Sequence, residues 1–284
     1  MASPLDQDRL AVALADAGYF ADEGLVTALY LALELGKPLL LEGMPGVGKT
    51  EVGNVLARLL GRACIRLQCY EGIDATRALY DWDHLRQLLH LRVAERAGPI
   101  ATAELYAPEF LVEMPLLKAL RNAGTAILLI DEIDRADDAF EAFLLEFLSD
   151  FQISIPEIGT VRAAQSVVTI LTSNRTRELH DALRRRCLYH WIDYPEPARE
   201  RAIVERHAPG IAAEAADRLV EAVAAVRRLP LAKRPGIAVP IDWGRAAAVL
   251  HRDGAAWPEA LRRSLGLLVK DQDDLALLAQ AEVV

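Results

Sequence analysis

Residues 37–61 read KPLLLEGMPGVGKTEVGNVLARLLG, and this stretch decides the fold. The apolar run at 38–41 predicts a buried strand, and the segment after residue 48 predicts a helix that ends at Gly61. Between them, residues 43–50 fit the pattern G-x-x-x-x-G-K-[ST] in full. Glycines allow successive backbone N–H groups to surround phosphate oxygens, and a following helix points its positive end at the same anions. The stretch therefore predicts a strand, a phosphate-binding loop and a helix.

The side chains of this loop have distinct predicted roles. Lys49 is expected to reach the β- and γ-phosphates of a nucleotide, and Thr50 to offer its hydroxyl to Mg²⁺. The predicted cofactors are therefore ATP and Mg²⁺. The residues of this segment that we expect to bind the cofactor are Gly43, Met44, Pro45, Gly46, Val47, Gly48, Lys49, Thr50 and Glu51.

Two further strand ends carry polar residues that suit ATP hydrolysis. The apolar run 126–130 ends in Asp131, placed to hold Mg²⁺ through water, and Glu132, placed to orient and polarise the attacking water. Another predicted strand ends in Asn174, which is expected to bond the γ-phosphate and the lytic water. Carboxyl ends of parallel strands share one edge of a sheet, so these residues should lie together. Simple turns at 131–132 and at Asn174 are the structural alternatives.

Three successive arginines precede the last predicted strand, at residues 184–186. Because burying three guanidinium groups is costly, they are expected to face solvent or a partner. One interpretation is a solvated basic turn. The other is an arginine finger that one subunit supplies to the ATP of its neighbour. Its position favours Arg186, with Arg185 as a second catalytic candidate, and Arg184 is not excluded.

The order of elements predicts an α/β fold with a parallel, doubly wound sheet. Further strands are expected at 63–68, 167–172 and 187–192, whereas 1–36 and most of 70–123 are expected to be helical and 150–166 to form a hairpin. After residue 195 only helical periodicity is found, at 197–207, 211–228, 241–252, 257–269 and 271–282. We therefore predict a core at 1–195, with an insert at about 70–110, and an all-helical lid at 196–284.

Composition excludes several classes of protein. The hydrophobic fraction is 52%, yet no apolar run approaches the roughly 18–20 residues that span a membrane. Acidic residues outnumber basic ones by 41 to 32, for a net charge of −9, so a basic footprint for nucleic acid is absent. The three cysteines form no Cys-x-x-Cys pair that would suggest zinc or disulfides. The start of the sequence shows no secretory signal, and a cytoplasmic location is expected.

Taken together, these motifs resemble those of AAA+ ATPases, and more narrowly those of the MoxR group. The resemblance covers nearly the whole chain and includes the run LIDEIDRA at 129–136. Two aromatic segments, CYEGID at 69–74 with ALYDW at 78–82 and LYHWIDYP at 188–195, are similar to MoxR ATPases encoded beside carbon monoxide dehydrogenase and related molybdenum hydroxylases.

The resemblance implies roles that the residues alone do not. MoxR members form hexameric rings with ATP at the subunit interfaces, and many act with a protein that carries a von Willebrand factor A domain to mature a metalloenzyme, as a chaperone does. Arg245, in IDWGR at 241–245, occupies the place of the family's sensor-2 arginine, which contacts the γ-phosphate. The commoner family pattern there is Ser-Pro-Arg, from which this sequence departs.

The sequence is compatible with more than one use of ATP, and the role of the insert is one of the open points. Tyr70, Tyr80, Trp82 and Tyr106 are concentrated in the insert, where they either engage a partner or client or pack the insert onto the sheet. The main hypothesis is a ring that remodels a protein client, with no nucleic acid and no membrane span. The alternatives are a motor acting on nucleic acid, a P-loop kinase of small molecules, and a nucleotide-switched binding module with slow turnover.

Overall fold

The structure, a computed structural model, describes residues 6–94, 102–231 and 233–281. Residues 95–101 of the predicted insert and residue 282, where the last predicted helix ends, lie outside the described residues. The strands are β1 (Leu39–Gly43), β2 (Ala63–Gln68), β3 (Tyr80–Trp82), β4 (Leu111–Glu113), β5 (Ala126–Asp131), β6 (Gln152–Ile155), β7 (Gly159–Arg162), β8 (Val168–Ser173) and β9 (Leu188–Ile192).

Helices connect these strands and make up the C-terminal part of the chain. Short 3₁₀ turns lie at Pro108–Phe110, Ile133–Arg135 and Leu265–Leu267. The α-helices are α1 (Gln7–Asp16), α2 (Glu23–Leu35), α3 (Lys49–Leu59), α4 (Ala75–Leu79), α5 (His84–Ala94), α6 (Thr102–Leu105), α7 (Pro115–Arg121), α8 (Asp138–Asp150), α9 (Asp181–Arg186), α10 (Pro197–His207), α11 (Ala213–Arg228), α12 (Ala238–Arg252), α13 (Trp257–Arg263) and α14 (Gln272–Gln280).

The main sheet has five strands in the order β2-β5-β8-β1-β9. Adjacent pairs β2–β5, β5–β8 and β8–β1 run parallel. Every residue of β1 and of β5 is buried, as expected where helices cover both faces of a parallel sheet. The predicted α/β fold is confirmed.

The register of the sheet brings its polar strand ends to one edge. Gln68 at the end of β2 pairs with Asp131 at the end of β5. On the other side of β8, Glu42 of β1 pairs with Ser173. Because parallel strands present their carboxyl ends together, the residues that follow β5 and β8 meet at this edge.

Two antiparallel pairs lie outside the main sheet. β6 and β7 form the predicted hairpin, in which Gln152 pairs with Arg162. β3 and β4 form a second pair, with Trp82 opposite Leu111. The prediction that 70–123 is mostly helical was therefore wrong at these two strands. Each has only three residues, too few to show the alternation that marks a strand in a sequence.

The segment 1–36, which was predicted to be helical, contains two helices rather than one among its described residues. α1 and α2 are separate helices, and Gly18 between them has φ +84°, in the left-handed region that glycine adopts without strain. No helix among the described residues is long and apolar enough to cross a membrane.

The contacts divide the chain into two compact units. The first contains the residues up to Leu10 together with Glu23–Glu42 and Thr50–Trp191. The second contains Ala11–Asp22, Gly43–Lys49 and the residues from Ile192 onward. The division into a core at 1–195 and a lid at 196–284 stays a prediction.

The C-terminal helices of the second unit pack around Trp243. Its side chain is fully buried, and its indole Nε1–H donates to the carbonyl oxygen of Leu261 at 3.1 Å. α13 ends at Arg263, before the predicted end at 269. The Ser264 hydroxyl donates to the carbonyl oxygen of Ala260 at 2.7 Å, a local bond that competes with helix continuation.

A buried ion pair ties α10 to α11 in this unit. Arg227 donates to both carboxylate oxygens of Glu200, at 2.8 and 2.6 Å, and its guanidinium lies 4.3 Å from the ring centroid of Tyr194. Only 11% of the Arg227 side chain and 2% of the Glu200 side chain are exposed. Arg227 Nε also donates to the carbonyl oxygen of Pro235 at 3.0 Å, which anchors the segment before α12.

Replacing Glu200 by glutamine is expected to destabilise the protein by about 3 kcal/mol, because Arg227 would remain buried without its counter-charge. Urea unfolding followed by circular dichroism measures the loss. Arg201→Gln is the matched control, since the pairs of Arg201 with Glu205 and Asp217 are more exposed and should contribute much less. Equal losses for the two variants would contradict the prediction.

Candidate ATP site

The phosphate-loop pattern lies between β1 and α3, as predicted. Gly46 and Gly48 have φ +79° and +91°, which side chains other than glycine rarely adopt. Within the loop Val47 is buried, whereas Met44, Pro45 and Gly46 are exposed. The sequence therefore folds here into a turn whose exposed backbone is available to an anion.

Lys49 is held by the loop itself. Its ammonium donates to the carbonyl oxygens of Gly43 at 2.7 Å and Met44 at 2.8 Å, and the residue is only 6% exposed. The charged group is thus fixed beside the loop before any nucleotide arrives. Such preorganisation suits a lysine that is to meet phosphate oxygens.

Replacing Lys49 by alanine is expected to weaken ATP binding about 10- to 100-fold, the contribution of one charge-assisted contact to phosphate. Titration with a fluorescent ATP analogue measures the affinity. Lys37→Ala removes an exposed lysine just before β1 and should leave the affinity unchanged. If the Lys49 variant binds like the wild type, the assignment of the phosphate loop is wrong.

Thr50 and Asp131 are brought together, as their predicted shared role in holding Mg²⁺ requires. The Thr50 hydroxyl lies 2.9 Å from Oδ1 of Asp131. Thr172, at the end of β8, donates its hydroxyl to the same oxygen. Asp131 is 1% exposed. A buried carboxylate beside a hydroxyl is a set of hard oxygen donors, which fits Mg²⁺.

Glu132 and Asn174 also meet, at the carboxyl edge of the sheet. Asn174 Nδ2 lies 3.5 Å from Oε1 of Glu132. The backbone of Glu132 has φ 55°, a left-handed conformation that is uncommon for this residue type. Its backbone N–H donates to the Thr172 hydroxyl at 2.9 Å. After this left-handed turn the carboxylate lies within reach of Asn174, the residue that follows β8.

Sequence reasoning missed two residues that hold this pair. Gln68, on β2, donates through Nε2 to Oε2 of Glu132 at 3.0 Å. Asp134 accepts from the backbone N–H groups of Asn174 at 3.2 Å and Thr176 at 2.8 Å, which fixes the loop after β8. Gln68 lies opposite Asp131 in the sheet register. The sequence signal that could have identified it is a polar residue at the end of the strand predicted at 63–68.

Cys69 and Asp131 are linked through the backbone at the same edge. The Cys69 backbone N–H donates to the carbonyl oxygen of Asp131 at 2.8 Å. Burial, together with the charge of Asp131, raises the pKa of the Cys69 thiol to about 12. The thiol is therefore protonated at neutral pH and is no nucleophile.

The arginines at 184–186 lie at the end of α9 and are exposed. Arg186 Nε donates to the Ser149 hydroxyl at 2.7 Å. The Arg184 guanidinium lies 5.9 Å from the ring centroid of Tyr189. Arg185 is on the same short helix. The exposure of all three suits either a solvated turn or a contact with another subunit, and the finger role stays a prediction.

Glu51 and Arg245 each pair with polar groups of their own or a nearby helix. Glu51, in the first turn of α3, pairs with Arg58 at 2.9 Å. On α12, Arg245 Nε donates to the carbonyl oxygen of His207 at 2.8 Å, and its guanidinium lies 3.7 Å from Asp242. Their predicted contacts with the nucleotide stay predictions.

In the insert, the aromatic residues pack on one another. Trp82 lies edge-on to Tyr80 and Tyr106, with ring centroids 6.2 and 5.1 Å apart. Tyr80 and Trp82 also pack against the core of the first unit. Tyr70 is 38% exposed and accepts a hydrogen bond from Arg77 through its hydroxyl. Packing thus accounts for three of the four aromatic rings.

Comparison with known proteins accords with this geometry. Residues 39–192, more than half of the chain, match the model of the ATPase family associated with various cellular activities, AAA. The chain belongs to the AAA family. It is therefore an ATPase, and AAA proteins typically oligomerise. A comparison with curated protein sequences finds no match.

Solved structures with this AAA fold include RuvB from Thermotoga maritima. A point mutant of RuvB is 17% identical, with a TM-score of 0.55 over 95% of this chain and 73% of that one. A second RuvB structure, described as a Holliday junction branch migration motor, is 18% identical, with a TM-score of 0.54 over 89% of this chain and 72% of that one. At such identities the likeness shows the fold alone.

Proposed function

We propose that this chain is a MoxR-type AAA ATPase. In this proposal it forms a ring whose ATP turnover remodels a metalloenzyme client together with a von Willebrand factor A-domain protein. The observation that carries the ATPase part is the meeting of Glu132 with Asn174 and of Thr50 with Asp131 at one sheet edge. A molybdenum hydroxylase of the carbon monoxide dehydrogenase type is the proposed client.

The resemblance of two segments supports the subgroup assignment, and one of them, LYHWIDYP at 188–195, contacts residues next to the proposed ATP site. The Tyr189 hydroxyl donates to Oε2 of Glu42 at 3.1 Å, and Glu42 directly precedes the phosphate loop. Burial, and then the charge of Glu42, raise the pKa of Tyr189, so this hydroxyl stays a donor. The guanidinium of Arg175, the residue after Asn174, lies 5.8 Å from the ring centroid of Trp191.

In the proposed mechanism each residue has one task. Lys49 and the backbone of the loop bind the phosphates, and Asn174 orients the attacking water. Glu132 accepts the proton of that water at Oε1, the carboxylate oxygen that faces Asn174. Thr50 and Asp131 would hold Mg²⁺, which supplies charge neutralisation on the phosphates when bound. Arg186, and Arg185 as the second candidate, would reach the ATP of a neighbouring subunit, and Arg245 would contact the γ-phosphate.

Client capture tests the proposal. A tagged Glu132→Gln variant, loaded with ATP in an extract of the native organism, should retain its partners because the nucleotide is bound but not hydrolysed. The tagged Lys49→Ala variant, treated identically at an ATP concentration that does not saturate it, is the control with weakened ATP binding. Mass spectrometry should find a von Willebrand factor A-domain protein and a metalloenzyme subunit enriched on the first variant. Equal recovery on both, or capture of DNA instead, would contradict the proposed client.

A further inference from the structure

Arg66 makes an ion pair with the carboxylate that is proposed to hold Mg²⁺. Its Nη2 lies 2.5 Å from Oδ2 of Asp131 and also donates to Oε1 of Gln68. Alternate residues of a strand point to the same face, so Arg66 and Gln68 lie side by side on β2. Gln68 is opposite Asp131 in the sheet register, which places the guanidinium within reach of that carboxylate.

The environment of Asp131 requires a counter-charge. Its side chain is only 2% exposed. The hydroxyls of Thr50 and Thr172 donate hydrogen bonds to it, but they carry no charge. A buried carboxylate without a cation is strongly disfavoured. In this structure Arg66 supplies that positive charge.

The two partners differ in how easily they can move. The Arg66 side chain is 53% exposed, whereas Asp131 is fixed within the sheet edge. An exposed guanidinium can turn into solvent and be hydrated there, so the pair can open without burying a charge elsewhere. Mg²⁺ and a guanidinium repel one another when they are held by one carboxylate.

We propose that Arg66 is the resident counter-ion of Asp131 in the nucleotide-free protein and competes with Mg²⁺ for that carboxylate. When the metal enters with the nucleotide, the guanidinium leaves Asp131 for solvent. Arg66 thereby sets the free Mg²⁺ concentration at which the site fills. The inference rests on the proposed role of Asp131 in holding the metal and is independent of the client.

The test measures metal dependence without turnover. The affinity of the full-length protein for a fluorescent ADP analogue is determined at a series of free Mg²⁺ concentrations, which gives the Mg²⁺ midpoint. Arg66→Gln should lower this midpoint about three- to tenfold, the effect of removing one half-exposed charge-assisted contact. Arg62→Gln removes a partly exposed arginine just before β2 and is the matched control for net charge. Its midpoint should equal that of the wild type.

A second variant keeps the test decisive if Arg66→Gln does not fold. Arg66→Lys retains the charge but loses the planar fork, so its midpoint should shift in the same direction by less. An unchanged or raised midpoint in the folded Arg66 variants would overturn the proposal.

The Asp131→Asn variant distinguishes a failure of the proposal for Arg66 from a failure of the proposed role of Asp131 in holding Mg²⁺. It should raise the Mg²⁺ midpoint if Asp131 holds the metal. If Asp131→Asn behaves as the wild type, the role of Asp131 is wrong and the proposal for Arg66 is overturned with it. If Asp131→Asn raises the midpoint but the Arg66 variants leave it unchanged, only the proposal for Arg66 is overturned.

Discussion

Replacing Glu132 by glutamine is expected to leave ATP bound and to lower its hydrolysis about 10²- to 10⁴-fold, the usual contribution of a general base. Glutamine has nearly the same shape, and its side-chain oxygen can still accept a hydrogen bond from Gln68 or Asn174. It cannot take a proton from the attacking water. Steady-state phosphate release and nucleotide affinity, measured on the same preparation, separate the loss of chemistry from any loss of binding.

The control for Glu132→Gln is the same chemical change at an exposed position. Glu221→Gln, on the solvent side of α11, should release phosphate at the wild-type rate. Size-exclusion chromatography with light scattering should also show that the Glu132 variant with ATP has the same oligomeric state as the wild type. Phosphate release at the wild-type rate from Glu132→Gln would show that another group activates the water.

Elements whose signal is local could be predicted from the sequence. β5 begins with an uninterrupted apolar run at 126–130, and the loop before α3 has glycines where the backbone adopts positive φ. α10 is bounded by Pro197 at its start and was predicted with the bounds it has. In each case the residues that determine the element lie within it, so one stretch of sequence is sufficient.

Elements that depend on distant partners could not be predicted in this way. β3 pairs with β4, which lies almost thirty residues further along the chain, and each strand is stabilised by the other rather than by its own pattern. The contact of Gln68 with Glu132 likewise joins residues 64 positions apart. Only the register of β2 against β5 brings these side chains together.

The candidate site was predictable as a set of residues but not as a geometry. The motifs predicted that Asp131, Glu132 and Asn174 share an edge of the sheet. They gave no sign that Glu132 has a left-handed backbone or that Asp134 fixes the loop carrying Asn174. Such strain, which costs about 1–3 kcal/mol, persists only where surrounding contacts impose it.

Replacing Arg186 by alanine is expected to preserve ATP binding and to lower turnover about 10³-fold or more, the usual effect of removing an arginine finger. The reason is that a guanidinium from the neighbouring subunit would stabilise charge that develops only in the transition state. Within its own chain, Arg186 Nε donates to the Ser149 hydroxyl. Arg184→Ala and Arg185→Ala, assayed for phosphate release beside it, identify which arginine acts.

Mixing variants decides whether the arginine acts on a neighbour. An Arg186→Ala subunit has an intact ATP site, and a Lys49→Ala subunit has an intact finger, so their mixed interface should recover part of the activity that neither has alone. The control mixes Arg186→Ala with the Lys49→Ala, Arg186→Ala double variant, which offers no finger and should restore nothing. Light scattering on both mixtures establishes that the subunits assemble. If assembled mixtures of the single variants stay inactive, Arg186 does not act across an interface, and the solvated turn becomes the better interpretation of residues 184–186.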